Sequence, residues 1–191
     1  MGPTRSKLDL KLVPPAVALV PSYIEARQAG PFSHMALNGF GDDAIQTVAA
    51  DPARYIQGLT YEGPREIITP NRQVFVLRRH SIRWAIDPAG VFVGAVSLRL
   101  DRDHSLIDLY CGNVGLGVRR DWQNHGYGTM IWRLVFDIFA ELDFKSIIAS
   151  ANVDNLASIR SIEKVGGTII DRNDIYGYGE ALVFRIAVPS R

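Results

Sequence analysis

The chain of 191 residues has one cysteine, Cys111. A single thiol excludes an intrachain disulfide and a cysteine-rich zinc site, and it suits a reducing compartment. Excess charge of either sign is also missing. Lys and Arg number 21 against 20 Asp and Glu, a formal net charge of +1. Nothing in that balance calls for nucleic acid or an anionic membrane as partner. Long apolar runs are absent. Pro14, Pro15 and Pro21 interrupt the apolar segment behind the N-terminus, which excludes a signal peptide or a spanning helix there, and no later run reaches bilayer length. Gly2 is followed by Pro3, which leaves myristoylation without support. No repeat or low-complexity tract stands out. These absences predict a cytoplasmic protein without a metal, a membrane or a nucleic acid. What is present is a 47% hydrophobic chain of one domain's length, enough to bury a core. We expect a flexible tail over residues 1–9 and a single domain over 10–190.

Periodicity supplies the elements. Leu10–Leu19 reads as a first strand, placed at an edge or a bulge by Pro14-Pro15. Ser22–Gln28 reads as a short helix and Gly30–Gly41 as a loop. Asp42–Thr60 is helical with a break at Asp51-Pro52, and Glu62–Arg72 is a loop. Gln73–Asp87 and Val91–Leu100 form a hairpin around Asp87-Pro88-Ala89-Gly90. A turn at Asp101–His104 leads into a strand from Leu106 to Arg119. Then follow a helix (Thr129–Leu142), a buried strand (Lys145–Ala151) and a helix (Asn155–Lys164) ended by Gly166-Gly167. Strands near Thr168–Asp171 and Ala181–Val188 close the chain. The order predicts an α+β fold, a mixed, mostly antiparallel sheet flanked by helices.

The stretch from Val114 to Ile131 carries the chemistry. Val114, Leu116 and Val118 alternate as in a strand, a glycine-bearing loop follows, and from Thr129 the apolar residues recur at helical spacing. A loop of this kind on a helix N-terminus offers unpaired N–H groups and partial positive charge to a phosphate. A P-loop is excluded because Thr129-Met130 stands where Lys-Ser/Thr is required. The dinucleotide fingerprint is excluded because neither Gly115-Leu116-Gly117 nor Gly126-Tyr127-Gly128 continues to a third glycine at the right spacing.

Gln123-x-x-Gly126-x-Gly128 resembles the Q/R-x-x-G-x-G/A pyrophosphate loop of the GCN5-related N-acetyltransferases (GNAT). Asp154-Asn155-Leu156-Ala157-Ser158 and Glu163-Lys164-Val165-Gly166-Gly167 resemble the next block of that superfamily, in its bacterial D-N-x-x-S, E-K-x-G-G form. The resemblance spans about Leu10 to Val188, with its specific motifs in 108–167. It implies splayed strands before and after the loop's helix, with acetyl-CoA lying in the V-shaped gap.

The same resemblance implies roles for residues. The backbone N–H groups of Asn124, His125, Gly126, Tyr127, Gly128 and Thr129 would hold the pyrophosphate, with Gln123 beside them. Leu116 and Val118 would pair through their backbones with the pantetheine arm, and the Leu116 N–H would point at the thioester carbonyl. Asn155 would meet the pantetheine, and Ser158 would lie near the sulfur. The tyrosine that protonates the departing thiolate in many members is replaced by Ile162, leaving Ser158 or a water for that task. Arg160 and Lys164 can meet the 3′-phosphate. The glutamate base of some members falls on Gly112. Alternation puts Asp108 and Tyr110 on the face of position 112 and, unless a bulge intervenes, Cys111 and Asn113 on the other. Asp108 would be about 13 Å away. Asp108 and Tyr110 are therefore the candidate bases, with Glu180 and Tyr178 as further ones.

The expected activity is acetyl transfer from acetyl-CoA to an amine by direct attack in a ternary complex. A non-catalytic acyl-CoA-binding or regulatory module is the alternative, and a structural domain that binds no nucleotide is a third reading. The acceptor pocket would be built from residues 22–72 and the last hairpin, where Phe32, Phe40, Tyr55, Tyr61 and Tyr176 are lining or core candidates. A homodimer is compatible with all of this.

Overall fold

A computed structural model describes residues 9–30, 44–60, 63–68, 71–72, 74–77, 79–100, 112–174, 177 and 179–189. Strands β1 (Lys11–Val13), β4 (His80–Ile86), β5 (Phe92–Arg99) and β6 (Val114–Val118) form an antiparallel sheet in the order β1-β4-β5-β6. The hairpin between β4 and β5 closes on Asp87, whose carboxylate accepts from the N–H groups of Ala89 (2.9 Å) and Val91 (2.8 Å). β1 lies at the sheet edge, as the prolines demand, but has three residues where ten were expected. Pro14 and Pro15 have no N–H to give a ladder, and the chain turns through a 3-10 turn, Val17–Leu19, into α1 (Val20–Gln28) with Pro21 in its first turn.

The 42–60 segment breaks where expected. Helices α2 (Ala44–Ala50) and α3 (Pro52–Leu59) are separated by Asp51, whose side chain accepts from the Arg54 N–H at 2.9 Å. Two expectations are corrected. The 62–72 loop contains strand β2 (Arg65–Ile68), and the strand expected over 73–87 is two strands, β3 (Val74–Leu77) and β4. Among the described residues β2 and β3 pair only with each other. Pro64 and Pro70 flank β2 without entering it, so each residue of Arg65–Ile68 keeps the N–H that a ladder needs.

After β6 come α4 (Tyr127–Glu141), β7 (Ser146–Asn152), α5 (Leu156–Glu163), β8 (Thr168–Asn173) and β9 (Ala181–Ala187). The last three strands form a second antiparallel sheet in the order β7-β9-β8. The expected helices and strands of this half are all present, with α4 starting two residues early.

Two apolar clusters sit against the first sheet. In one, Tyr23 of α1 stacks on Trp84 (centroids 4.9 Å apart), and Phe92 meets both rings edge-on. The Tyr55 hydroxyl donates to that of Tyr23 at 2.7 Å, and burial raises the Tyr55 pKa. Tyr55 therefore belongs to the edge of this core. In the other cluster, Ile131, Val135 and Phe139 of α4 pack on Ala85, Val93 and Val96 and on Ile147, Phe184 and Ile186 of the second sheet. These three α4 residues follow each other at i, i+4 spacing and are fully buried. Removing a ring such as that of Phe139 would cost about 3–5 kcal/mol. The result is the expected α+β architecture. Among the described residues no helix is long and apolar enough to cross a membrane.

Candidate active site

The site begins where the two sheets touch. The Asn113 N–H donates to the Ile148 carbonyl at 2.6 Å, and the Ile148 N–H donates back to Asn113 Oδ1 at 2.7 Å. Past this link no ladder joins β6 to β7, although each is the edge strand of its sheet. The strands part, and this is the splay that the resemblance implied.

The open edge of β6 follows from its register. Arg99 and Arg119 mark opposite ends of the β5–β6 ladder: the Arg99 N–H donates to the Asn113 carbonyl and the Arg119 N–H to the Val93 carbonyl. In an antiparallel pair such residues alternate with ones whose N–H and C=O groups face away. With Gly115 and Gly117 turned to β5, Leu116 and Val118 turn theirs into the gap. The Val118 carbonyl is already taken, at 3.0 Å, by the side-chain amide of Gln123. Gln123 is thus fixed against the end of β6 rather than solvated.

Arg119 shapes the corner beyond β6. Its guanidinium is buried, makes a two-pronged pair with Asp121 (2.7 and 2.9 Å), donates to the Phe92 carbonyl (3.2 Å) and lies 5.2 Å over the Trp122 ring. Trp122 in turn packs 5.2 Å from Tyr127. The chain then reverses through Asn124 (φ 61) and Gly126 (φ 87). Gly126 is the residue before α4, and no side chain caps that helix. The first helical bond runs from the Met130 N–H to the Gly126 carbonyl, so the first-turn N–H groups, those of Gly128 and Thr129 among them, precede the i−4 ladder of the helix. α5 starts on the facing wall. There Asn155 Oδ1 accepts from the Ser158 N–H at 3.2 Å.

Together these parts enclose a cleft of about 780 Å³. Leu116, Val118, Gln123, Asn124, Gly126, Tyr127, Gly128, Thr129, Asn155 and Ser158 all line it, as do Arg160 and Lys164. The structure thus brings together every expected cofactor residue except His125. That side chain is exposed, and its Nδ1 sits 2.7 Å from the Gln123 carbonyl, off the cleft wall.

The catalytic candidates divide differently. Ser158 is on the wall. Asp108, Tyr110, Cys111, Tyr176 and Tyr178 lie outside the described residues, as do Phe32, Phe40 and Tyr61. Gly112 has φ 65, and a Cβ there would come within 2.6 Å of the Ile148 carbonyl oxygen. The position that carries a glutamate in some family members therefore has no room for a side chain. Its positive φ also interrupts the extended backbone, so face alternation cannot be counted across it to Asp108 and Tyr110. Glu180 is held in a two-pronged ion pair by Arg172 (2.7 and 2.6 Å), and that hydrogen-bonded pairing lowers its pKa. A carboxylate so engaged is a poor proton acceptor. Ile162 is buried in the core, pointing away from the cleft.

Four residues on or behind the wall were missed by sequence reasoning: Asn113, Arg119, Trp122 and Ser161. The signal for the first was an Asn following a Gly where a strand should alternate. Arg119 and Trp122 flank the loop motif itself. Ser161 lies one residue before Ile162, its hydroxyl donating to the Ser158 carbonyl at 2.8 Å. Among the described residues no cluster of three or more His, Cys, Asp or Glu could hold a metal.

Comparison with known proteins gives a consistent result. The family model of the acetyltransferase (GNAT) domain matches residues 39–168. No curated protein sequence matches the chain. Among solved structures, RimL, a ribosomal L7/L12 alpha-N-protein acetyltransferase in complex with coenzyme A, shares 12% identity over 97% of both chains with a TM-score of 0.59. The yncA protein of Salmonella typhimurium with its cofactor acetyl-CoA shares 14% over 95% of both chains, TM-score 0.52. An acetyltransferase from Agrobacterium tumefaciens str. C58 shares 18% over 95% of this chain and 91% of its own, TM-score 0.55. At such identities the likeness is one of fold.

Proposed function

This chain belongs to the acetyltransferase (GNAT) family, and from that premise we propose that it transfers an acetyl group from acetyl-CoA to the amine of a small molecule or peptide, by direct attack in a ternary complex. One observation carries the reading. The same cleft presents an uncapped helix N-terminus and an unpaired strand edge. The first suits a pyrophosphate, the second an extended amide-bearing arm. Gly126 leaves open space in front of the loop, so the backbone itself can meet the phosphates.

The residues then have separate tasks. The N–H groups of 124–129 bind the pyrophosphate, and Arg160 and Lys164 add positive charge at the same wall. Leu116 and Val118 align the pantetheine arm through their backbones. The Leu116 N–H donates to the thioester oxygen, which gains negative charge as the amine adds. Ser158, on the opposite wall, gives a hydrogen bond to the departing sulfur. We read residues 10–190 as one domain, because β4 and β5 carry an apolar cluster on each face.

Deprotonation of the amine is assigned to solvent, since Gly112 has no room for a carboxylate and Glu180 is paired. An acceptor ammonium must lose its proton first, at ~10.4 for a lysine-like amine or ~8 for an α-amine. The rate should therefore rise with pH, and its apparent pKa should move with the acceptor. The test is thiol release from acetyl-CoA across a panel of amines, with pH profiles for two acceptors of different basicity. A pH profile that stays fixed when the acceptor changes would point to a protein base, with Asp108 and Tyr110 first in line. Binding without thiol release for any amine would favour the second reading, an acyl-CoA-binding module. The burial of Ile162 and the crowding at Gly112 motivate that alternative.

A further inference from the structure

The apex of the cleft is built from two adjacent residues with opposite demands. Gly112 passes so close to β7 that a Cβ would lie 2.6 Å from the Ile148 oxygen and 2.8 Å from the Ala149 Cα. Its carbonyl accepts from Nε of the buried Arg99. Asn113 follows, also buried, and bonds in four directions. Its N–H and Oδ1 take both backbone groups of Ile148, its Nδ2 donates to the Arg99 carbonyl at 3.2 Å, and its own carbonyl accepts from the Arg99 N–H at 2.8 Å. In a regular parallel pair the Ile148 N–H would reach a backbone carbonyl of the neighbouring strand. Here the Asn113 side-chain oxygen accepts it instead.

We propose that Asn113 is a positioning residue of the acyl site: its side chain closes the last β6–β7 pair and so fixes where the two strands part. Three residues on, Leu116 presents the N–H assigned to the thioester oxygen. Five residues on, the Val118 carbonyl is closed off by Gln123. Two side-chain amides thus bound the open edge, leaving the outward backbone groups of Val114 and Leu116 and the Val118 N–H as the length available to the pantetheine arm. Asn113 touches no substrate atom and acts through the spacing of β6 from β7. The inference rests on the acetyl-CoA reading of this cleft.

Its test separates the two ends of the ligand. Coenzyme A and adenosine 3′,5′-bisphosphate, which lacks the pantetheine arm, are titrated by calorimetry into wild type, N113L and N113D. Leu has nearly the same shape and neither bond. Asp keeps the acceptor for the Ile148 N–H and loses the donor to Arg99. N113L should bind coenzyme A about tenfold more weakly and the bisphosphate within about twofold of wild type. N113D should recover most of the coenzyme A affinity. Unchanged coenzyme A binding by N113L overturns the proposal. So does equal weakening for both ligands in a folded variant, or a folded N113D as impaired as N113L. Should N113L not fold, amide exchange in the wild type decides. The Ile148 N–H must be among the slow amides, and exchange as fast as that of an open strand edge overturns the clasp. Wild type that binds neither ligand sinks the acetyl-CoA reading instead, while the Ile148 exchange rate still judges Asn113.

Discussion

Two helices begin on the walls of one cleft, and they begin differently. α5 opens on Asn155, whose side-chain oxygen accepts from the Ser158 N–H. α4 opens on Gly126, which has no side chain to cap its first turn. An N-terminus without a cap leaves several N–H groups to solvent or to a ligand, and a capped one has spent part of its donor set on itself. On the reading proposed above, the difference divides the labour of the cleft: α4 holds phosphate, while α5 offers side chains, Ser158 and Arg160 among them. It also refines the reading of Asn155, whose oxygen accepts the cap bond and whose NH₂ remains for the pantetheine.

Charge placed at the uncapped end should break this contrast most severely. Gly126→Asp would put a carboxylate beside the N–H groups assigned to the pyrophosphate. Like charges brought together in this way cost several kcal/mol, so acetyl-CoA affinity should fall by about a hundredfold or more by calorimetry. Gly126→Asn is the control. Asn tolerates positive φ better than most residues and carries no charge, and open space lies in front of position 126. It should retain most of the affinity. Equal losses in the two variants would mean that backbone geometry rather than charge explains the site.

The capped end should respond in stability rather than binding. Asn155→Ala removes the acceptor for the Ser158 N–H, a change worth about 1 kcal/mol at a helix start. In a chain of this length that lowers the melting midpoint by about 2–4 °C. Acetyl-CoA affinity should fall by about fivefold at most, since the variant takes one neutral donor from the ligand. A loss of binding as large as that of Gly126→Asp, without a shift in melting, would reverse the roles given to the two helix ends.

How far the sequence revealed these features depended on range. The glycine loop before α4 was legible because its determinants are local: a strand period, Gly126 and Gly128, and a helix period follow one another directly along the chain. The parting of β6 from β7 was not derivable from composition or periodicity, because it depends on Gly112 and Asn113 meeting Ile148 thirty-five residues later. The β2–β3 hairpin was missed because two prolines suggested a loop, although both fall outside the strand they bound. His125 was expected to meet the phosphates through its backbone N–H, and that expectation does not involve its ring, which is exposed beside the Gln123 carbonyl. Ile162 was recognised as replacing a tyrosine, but only the packing of α5 shows that its side chain faces the core while Ser158 and Ser161 line the cleft.

The smallest effect is expected at Ser158, where the two helix ends come closest in function. Its N–H is bonded to the cap and its carbonyl accepts from Ser161, so its backbone is engaged within α5. The half-buried hydroxyl lies on the cleft wall. Ser158→Ala leaves the Asn155 cap intact, because that bond uses the backbone N–H, and melting should hardly change. If the hydroxyl stabilises the departing thiolate, kcat should fall while the Kd for acetyl-CoA stays near its wild-type value. A hydrogen bond of this type contributes about 0.5–1.5 kcal/mol, which limits the loss to roughly tenfold. A water admitted beside the smaller alanine can supply part of the missing donor, so the effect should lie toward the lower end of that range. Wild-type kcat in the variant would remove Ser158 from the chemistry and pass the role to a water, whereas a thousandfold loss would exceed what one neutral hydroxyl can contribute and would imply that Ser158 acts in proton transfer.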